Sequence, residues 1–399
     1  MAYESLYKLF ILNDNPTFNK IYTNRFESES SVKFDFKING NDAFLFCHNE
    51  ISSLLYDIKE YDNKINNLVS SLPKSAQNQY IKKSLIDEIQ YSNEIEGVIS
   101  TRKDIFNIME DINRLVKNKN RLESIVNKYC LLLEDKNISL DSSKDVRKVY
   151  DEFLLNEITV SDKNNLPDGK IFRKDPVYVY NNSGSKVIHT GVYPEEKIIE
   201  MMDKSLSILN NKEFNPYIRV AIFHYLFGYI HPFYDGNGRI NRFISSYALS
   251  KFTTPILKYR LSMTIKENLR EYLDAFNFTN DPRNKADLGT FVYSFLNIIY
   301  KAYQKTEIYI LDKKKIYDYY NNKIIESTLK DTEKKVLLLL LEGNLFSSFG
   351  LSKKDLMTEL DLSLPTINNA LKVLKERSLI LQSRIGKTNY YDVSLDNPK

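Results

Sequence analysis

The chain has 399 residues, 42% of them hydrophobic and 27% charged, with 56 Lys+Arg against 52 Asp+Glu and a net charge of +4. That balance excludes wholesale disorder and a polyanion-coating protein, and at ~100–200 residues per domain the length implies two to four compact units. Two cysteines, Cys47 and Cys130, are too few for a disulfide framework. With no secretory leader at the start and no run of roughly 20 apolar residues, the chain is expected in the cytoplasm and off the membrane.

Residues 32–37 alternate apolar and polar as a half-buried strand does, while the rest of 1–70 shows no clear period. Tyr80, Leu85, Ile86 and Ile89 predict an amphipathic helix over 76–95, with Gly97 as its stop. Further helical patterns cover 121–133 and 146–155. Two short apolar runs, 177–180 and 186–189, flank the polar segment 181–185 and read as a β-hairpin. Pro194, Glu195 and Glu196 open a helix reaching 209, with proline in the first turn and acids at the positive dipole end. The strongly apolar stretch 216–230 predicts a buried helix that stops at His231-Pro232, because proline disfavours helix in the residue before it. Helical patterns follow over 239–251 and 264–276, then one or two long helices over 285–328. Last comes helix (351–360), turn (361–363) and helix (364–377), followed by a two-stranded wing from 379–381 and 390–393.

The chemistry lies in His231-Pro232-Phe233-Tyr234-Asp235-Gly236-Asn237-Gly238-Arg239-Ile240-Asn241-Arg242. A helix ends at a histidine, a glycine-rich loop frees its N–H groups to form an anion nest, and a new helix N-terminus adds partial positive charge. Arg239 and Arg242, three apart, share one face at that N-terminus, where cations oppose the dipole by ~0.3–1 kcal/mol each unless an anion sits between them. A polyphosphate is the expected ligand. Asp235 offers an oxygen to Mg²⁺ beside phosphate oxygens, and His231 is the nearby group able to take a proton at neutral pH.

This segment resembles the Fic family motif H-P-F-x-[D/E]-G-N-G-R-x-x-R at every specified position. The resemblance implies a protein adenylyltransferase that moves AMP from ATP to a Ser, Thr or Tyr hydroxyl, with Mg²⁺ as cofactor. It makes His231 the general base and Asp235 the metal ligand. Gly236, Asn237, Gly238 and Arg239 would hold the α- and β-phosphates and Arg242 the γ-phosphate, while Phe233 seats the loop. The family's kinase-like branch departs from the motif in its second half, which is complete here. The 268–272 stretch resembles the family's adenine pocket and nominates Asn268 and Tyr272, although Tyr272-Leu273 stands where many relatives have paired tyrosines.

Glu96, in the last turn of the 76–95 helix, opposes the macrodipole unless a cation neutralises it. Ser92 to Gly97 is similar to the Fic inhibitory motif [S/T]-x-x-x-E-[G/N], which implies that Glu96 pairs with Arg242 and displaces the γ-phosphate. In some relatives the same residue removes AMP from the target. The hairpin corresponds to the family's target-docking flap, with Val177, Val179, Val187 and His189 along it. His224, on an apolar helix, reads as a satisfied core histidine.

The 351–391 pattern resembles a winged helix-turn-helix. Residues 331–399 hold ten Lys/Arg against nine Asp/Glu, a weak electrostatic footprint for DNA. Thr366, Asn368 and Asn369 are positioned for base edges and Lys372, Lys375 and Arg377 for phosphates, yet such modules also mediate dimerisation, and the residues leave both open. The expected architecture is mainly α: an N-terminal region with the inhibitory helix (1–110), a Fic-type helical core with a β-hairpin flap (111–282), linker helices (283–330) and a small winged-helix domain (331–399). Expected partners are a protein target, including the chain itself, and a second copy. An AMP-removing hydrolase and a nucleotide-sensing DNA-binding regulator are the alternatives.

Overall fold

A computed structural model describes residues 4–113, 121–134, 136–180, 185–255 and 257–395. The chain is mainly helical, with small antiparallel sheets, and folds as two compact units: Met1–Asp62 with Asp87–Ala302, and Asn63–Ile86 with Tyr303–Lys399. Among the described residues, no helix is long and apolar enough to cross a membrane.

The first segment begins with α1 (Leu6–Leu12) and α2 (Asn15–Phe26), capped by Ser5 and Asp14, whose side chains accept the Lys8 and Thr17 N–H groups. The strand expected at 32–37 is β1 (Ser31–Ile38), antiparallel to β2 (Asn41–Phe46). Leu6, Phe18 and Phe44 bury together behind it. Then come α3 (Asn49–Ser70) and α4 (Lys74–Ile95). The absence of a clear period over 1–70 hid α1, α2 and α3.

The end of α4 is tightly specified. Gly97 is left-handed at φ +72, its N–H donates to the Glu94 carbonyl, and the Val98 N–H donates to the Asn93 carbonyl at 3.0 Å. This is a Schellman closure, and it makes Glu96 the last residue before the turn.

Next are α5 (Arg102–Asn113), α6 (Glu123–Leu133) and α7 (Ser143–Ser161). The Asp145 carboxylate accepts the Ser142 N–H at 2.9 Å, and Val146, Val149, Tyr150, Phe153, Leu154 and Ile158 form the buried stripe of α7. The hairpin is β3 (Tyr178–Tyr180) with β4 (Val187–Thr190), antiparallel, pairing Val179 with His189. Residues 181–184 of its expected turn lie outside the described residues.

Helix α8 (Glu195–Asn210) leads to α9 (Pro216–Ile230), which is apolar on nearly every face and packs between α8 and α10 (Asn237–Ser250). A helix hydrophobic all round belongs inside, and α9 is the axis of the first unit's core. Helix α10 starts two residues before the expected Arg239, at the loop asparagine itself. The helix expected over 264–276 is two, α11 (Leu261–Glu267) and α12 (Leu269–Asn280). Asn268 breaks it: its side chain donates to the Thr264 carbonyl at 2.8 Å, competing with the helix ladder. The 285–328 pattern is one helix, α13 (Gly289–Glu326).

In the second unit, α14 (Asp331–Phe346), β5 (Leu351–Ser352), α15 (Lys353–Leu360), α16 (Leu364–Glu376), β6 (Ile380–Ile385) and β7 (Thr388–Val393) follow in order. The strands form a sheet in the order β5-β7-β6. Ser352 and Asp355 cap α15 reciprocally, Asp361 makes the left-handed turn at φ 52, and Ser363 caps α16. Leu337, Leu340 and Leu341 of α14 and Ile367, Leu371 and Leu374 of α16 are buried. Helix α14 was not among the expected elements.

Candidate active site

The α9–α10 connection begins with a strained residue. His231 caps α9 in the left-handed conformation (φ 52, ψ 63), with its N–H on the Phe227 carbonyl at 3.0 Å. A side chain in that region costs of order 1 kcal/mol, so its surroundings must hold it there. Arg173 does so. It is fully buried, and its guanidinium donates to the carbonyls of His231 (2.9 Å), Asp175 (2.6 Å) and Val192 (2.8 Å). Asp175 precedes β3 and Val192 follows β4, so one side chain ties both roots of the hairpin to the histidine turn. Burial lowers the pKa of this guanidinium, and the negative end of α9 is the favourable place for it.

Phe233 is completely buried, stacked on Tyr150 (ring centroids 3.8 Å) and edge-on to Phe172 (5.4 Å), so it seats the loop. The Asn237 side chain accepts the Phe233 N–H at 2.9 Å and donates to the Phe233 carbonyl at 2.7 Å. Both its polar atoms are therefore spent closing the loop, and what it offers an anion is its backbone N–H. Gly236 is left-handed at φ +81, and a Cβ there would strike Leu154.

The two arginines are both engaged within the protein. Each already has an anion. Arg239 donates to Glu157 of α7 at 2.7 Å, both side chains being nearly inaccessible, and lies 3.9 Å from Asp235. Arg242, 1% exposed, donates through Nη1 to Glu96 Oε1 at 2.9 Å, through Nε to Ser92 Oγ at 3.1 Å and through Nη2 to the Ser92 carbonyl at 2.7 Å. The unfavourable placement of two cations at a helix N-terminus is relieved by the protein's own carboxylates, so it does not by itself require a bound polyphosphate. Ser92 and Glu96 stand i,i+4 on α4 and grip the guanidinium from one helical face. A Cβ on Gly238 would collide with the Glu96 carboxylate, which therefore lies directly over the first turn of α10.

Burial, with His189 next, lowers the His231 pKa to about 4, and Glu96 opposes the shift. The ring is neutral at pH 7, and Nδ1 faces the Gly228 carbonyl at 3.4 Å, which leaves Nε2 as the acceptor. If His231 acts as a base, loss of activity on acidification follows that lowered pKa. We expect the acid limb of the rate profile below pH ~5, where an unperturbed histidine would place it near 6.5. A limb near 6.5 in initial-rate measurements would assign the base to another group.

Behind Arg242 lies a buried polar layer. His224 contacts Ser245 Oγ and the Tyr272 hydroxyl, both at 2.8 Å, as a satisfied core histidine. Tyr272 is thus committed inward. Asn268 is held by Thr264 and by the Lys301 ammonium at 3.0 Å. Both residues nominated for an adenine pocket have their polar groups engaged within the protein.

Glu88, two turns before Glu96 and fully buried, accepts the Ser262 N–H (2.8 Å), the Ser262 hydroxyl (2.6 Å) and the Ser246 hydroxyl (3.2 Å), fastening α4 to α11 and α10. Burial raises its pKa from 4.5 to about 7. The folded state therefore holds a proton that the unfolded state releases between pH 4.5 and 7, so this group's contribution to stability falls as pH rises through that window and is constant above it. Thermal melts at pH 5.5 and 8 should show a decline in the parent that is absent from Glu88→Gln; equal declines would mean that Glu88 does not titrate there.

In the hairpin, the Val177 carbonyl accepts the Gly191 N–H at 3.0 Å, Val179 is half-buried, and Val187 is exposed. His189 turns inward and contacts the Tyr229 carbonyl at 2.6 Å, anchoring β4 to α9 and leaving Tyr178, Tyr180, Val187 and Ile188 on the outer surface. Sequence reasoning missed Arg173, Glu157 and Glu88. The two glutamates carried a signal, each being a lone carboxylate among apolar residues on a helical face; Arg173 carried none.

Residues 140–249, from the approach to α7 to the end of α10, match the Fic/DOC family. That segment, which holds the His231–Arg242 loop, is the part of the chain similar to the family. Among solved structures, a Fic family protein from Desulfovibrio desulfuricans is similar at a TM-score of 0.53 and 20% identity, over 88% of this chain and 98% of that one. At that identity the likeness speaks for the Fic fold alone. Fic-1 from C. elegans (TM-score 0.45, 20% identity, 66% of this chain and 73% of that one) and a Fic domain containing signaling protein from Bacteroides thetaiotaomicron (0.43, 18%, 66% and 95%) are also similar. Fic domains transfer AMP or other nucleotide-phosphate groups to proteins.

Proposed function

We propose that the protein is a Fic-type adenylyltransferase that moves AMP from ATP to a protein hydroxyl and is held off by α4. One observation carries this reading: the Glu96 carboxylate bonds Arg242 at 2.9 Å and fills the space above Gly238. A triphosphate seated on the N-terminus of α10 would place its terminal negative charge there. Glu96 is an internal mimic of that charge.

With Glu96 displaced, the backbone N–H groups of Asn237 and Gly238 face the phosphates and Arg242 pairs with the outermost one. His231 Nε2 takes the proton as the target hydroxyl oxygen bonds to the α-phosphorus. The bond from that phosphorus to the bridging oxygen breaks, and pyrophosphate leaves. Asp235 suits Mg²⁺: its carboxylate is 44% exposed and Oδ1 accepts the Gly236 N–H at 2.5 Å. A cation held there would take its remaining ligands from substrate phosphates and water. When bound it neutralises phosphate charge. The exposed edge of the β3–β4 hairpin supplies the strand to which an extended target segment adds.

Incubating Glu96→Gly protein in lysate with ATP and Mg²⁺, followed by mass spectrometry, tests the reaction type. One added AMP on a Ser, Thr or Tyr is expected; a phosphate adduct, or no adduct, would overturn it. A second reading has one supporting observation. Glu96 is 32% exposed and acts electrostatically on His231, a placement suited to orienting water on an AMP-modified hydroxyl. Stripping of AMP from pre-modified target by the parent, but not by Glu96→Gly, would favour this hydrolase. The order β5-α15-α16-β6-β7 supports reading 351–393 as a winged helix-turn-helix, with Asn368, Asn369, Lys372, Lys375 and Arg377 exposed and Thr366 half-buried, as suits either nucleic-acid contact or pairing of copies.

A further inference from the structure

We propose that the first unit has a second anion site, at the opposite end of the α9–α10 pair from His231, which binds a small organic phosphate. A cavity of about 310 Å³ opens there, walled by the start of α9, the end of α10 and the chain before α7. Three cations, Lys212, Arg219 and Lys251, line it against one carboxylate, Asp141, which already accepts the Ser139 hydroxyl at 2.9 Å.

Arg219 is the decisive residue. Its guanidinium is half-buried and has no carboxylate partner among the described residues, whereas Arg239 and Arg242 of the same unit each face a carboxylate. Taking a guanidinium partly out of water without a counter-ion is costly, and an external anion relieves it. Burial also lowers the pKa of this guanidinium, which accords with the lack of a neighbouring anion. Lys251 rests on the Asn137 side-chain oxygen at 2.9 Å and over the Tyr247 ring at 4.6 Å, both uncharged. Pro216, the first residue of α9, also lines the cavity, so the positive end of that 15-residue helix opens onto it.

This much uncompensated charge suits a dianion such as a phosphate monoester. The rest of the wall is apolar, Leu140, Leu209, Val220 and Phe252, and matches a hydrocarbon or aromatic body on the same molecule. At 1.5 Å per residue along α9, the site is about 20 Å from His231 and separate from the loop that faces ATP.

The test is isothermal titration of the full chain with phenyl phosphate, with inorganic phosphate and phenol as comparators. We expect one-to-one binding of phenyl phosphate that is at least about tenfold weaker in Arg219→Ala, several-fold weaker in the surface variant Lys212→Ala, and unchanged in Arg242→Ala. No binding to the parent, or parental affinity in both Arg219→Ala and Lys212→Ala, would overturn the site. So would binding abolished by Arg242→Ala alone, which would assign the anion to the His231–Arg242 loop. Inorganic phosphate binding as tightly as phenyl phosphate would overturn the organic ligand.

Discussion

Glu96→Gly protein, supplied with labelled ATP and Mg²⁺, should incorporate label on the order of 10–100-fold faster than the parent. The magnitude follows from the pair that is broken. Removing one partner of a fully buried ion pair costs ~3–5 kcal/mol, and an exposed pair contributes ~0–1. Arg242 is 1% exposed and the Glu96 side chain 32%, so the hold of α4 on the guanidinium lies between these limits, at about 1.4–2.7 kcal/mol. At 1.36 kcal/mol per factor of ten, that range spans the stated increase. The substitution also clears the space over Gly238. It leaves Arg242 without a carboxylate partner among the described residues, still bonded to the Ser92 oxygens, so ATP should raise the melting temperature of the variant more than that of the parent. Equal incorporation by the two proteins would remove the brake.

His231→Ala in the Glu96→Gly background should lose at least ~100-fold and up to ~10⁴-fold of that labelling, the range usual for a general base. Its effect should be confined to turnover, because among the described residues the ring's one hydrogen bond is the long 3.4 Å contact to Gly228. The Arg173 clamp acts on the His231 carbonyl and is unaffected by loss of the imidazole. Nucleotide binding by the double variant should therefore match that of Glu96→Gly. Undiminished labelling would exclude His231 as the base; lost nucleotide binding would show that the substitution had disturbed the loop.

How much of this was legible beforehand depends on distance along the chain. The loop was readable because its parts are contiguous. A histidine before proline, glycines that permit the turn, and arginines three apart are properties of twelve neighbouring residues, and helices α9 and α10 on either side announce themselves by apolar content and period. The 92–97 segment was readable for the same reason, since a Schellman turn and an i,i+4 Ser–Glu pair are local.

The assignments that changed all depend on a residue arriving from elsewhere. Arg239, expected on phosphate, also meets Glu157, 82 positions away; Arg173 reaches His231 across 58, and Glu88 reaches Ser246 across 158. No periodicity encodes such meetings. The break at Asn268 was missed for a smaller reason of the same kind, because an asparagine within a helical pattern gives no sign of whether its side chain will turn back on Thr264.

The sequence by itself determined a mainly helical chain, a glycine-rich anion nest between two helices with a histidine at its mouth, and a carboxylate at the end of an earlier helix. Only the tertiary structure decided that this carboxylate reaches Arg242, that Arg239 is already neutralised, and that the histidine is held neutral. Local turns follow from backbone sterics between neighbours. Charge pairing and pKa follow from which groups share a low-dielectric interior, and that is set only when the helices have packed.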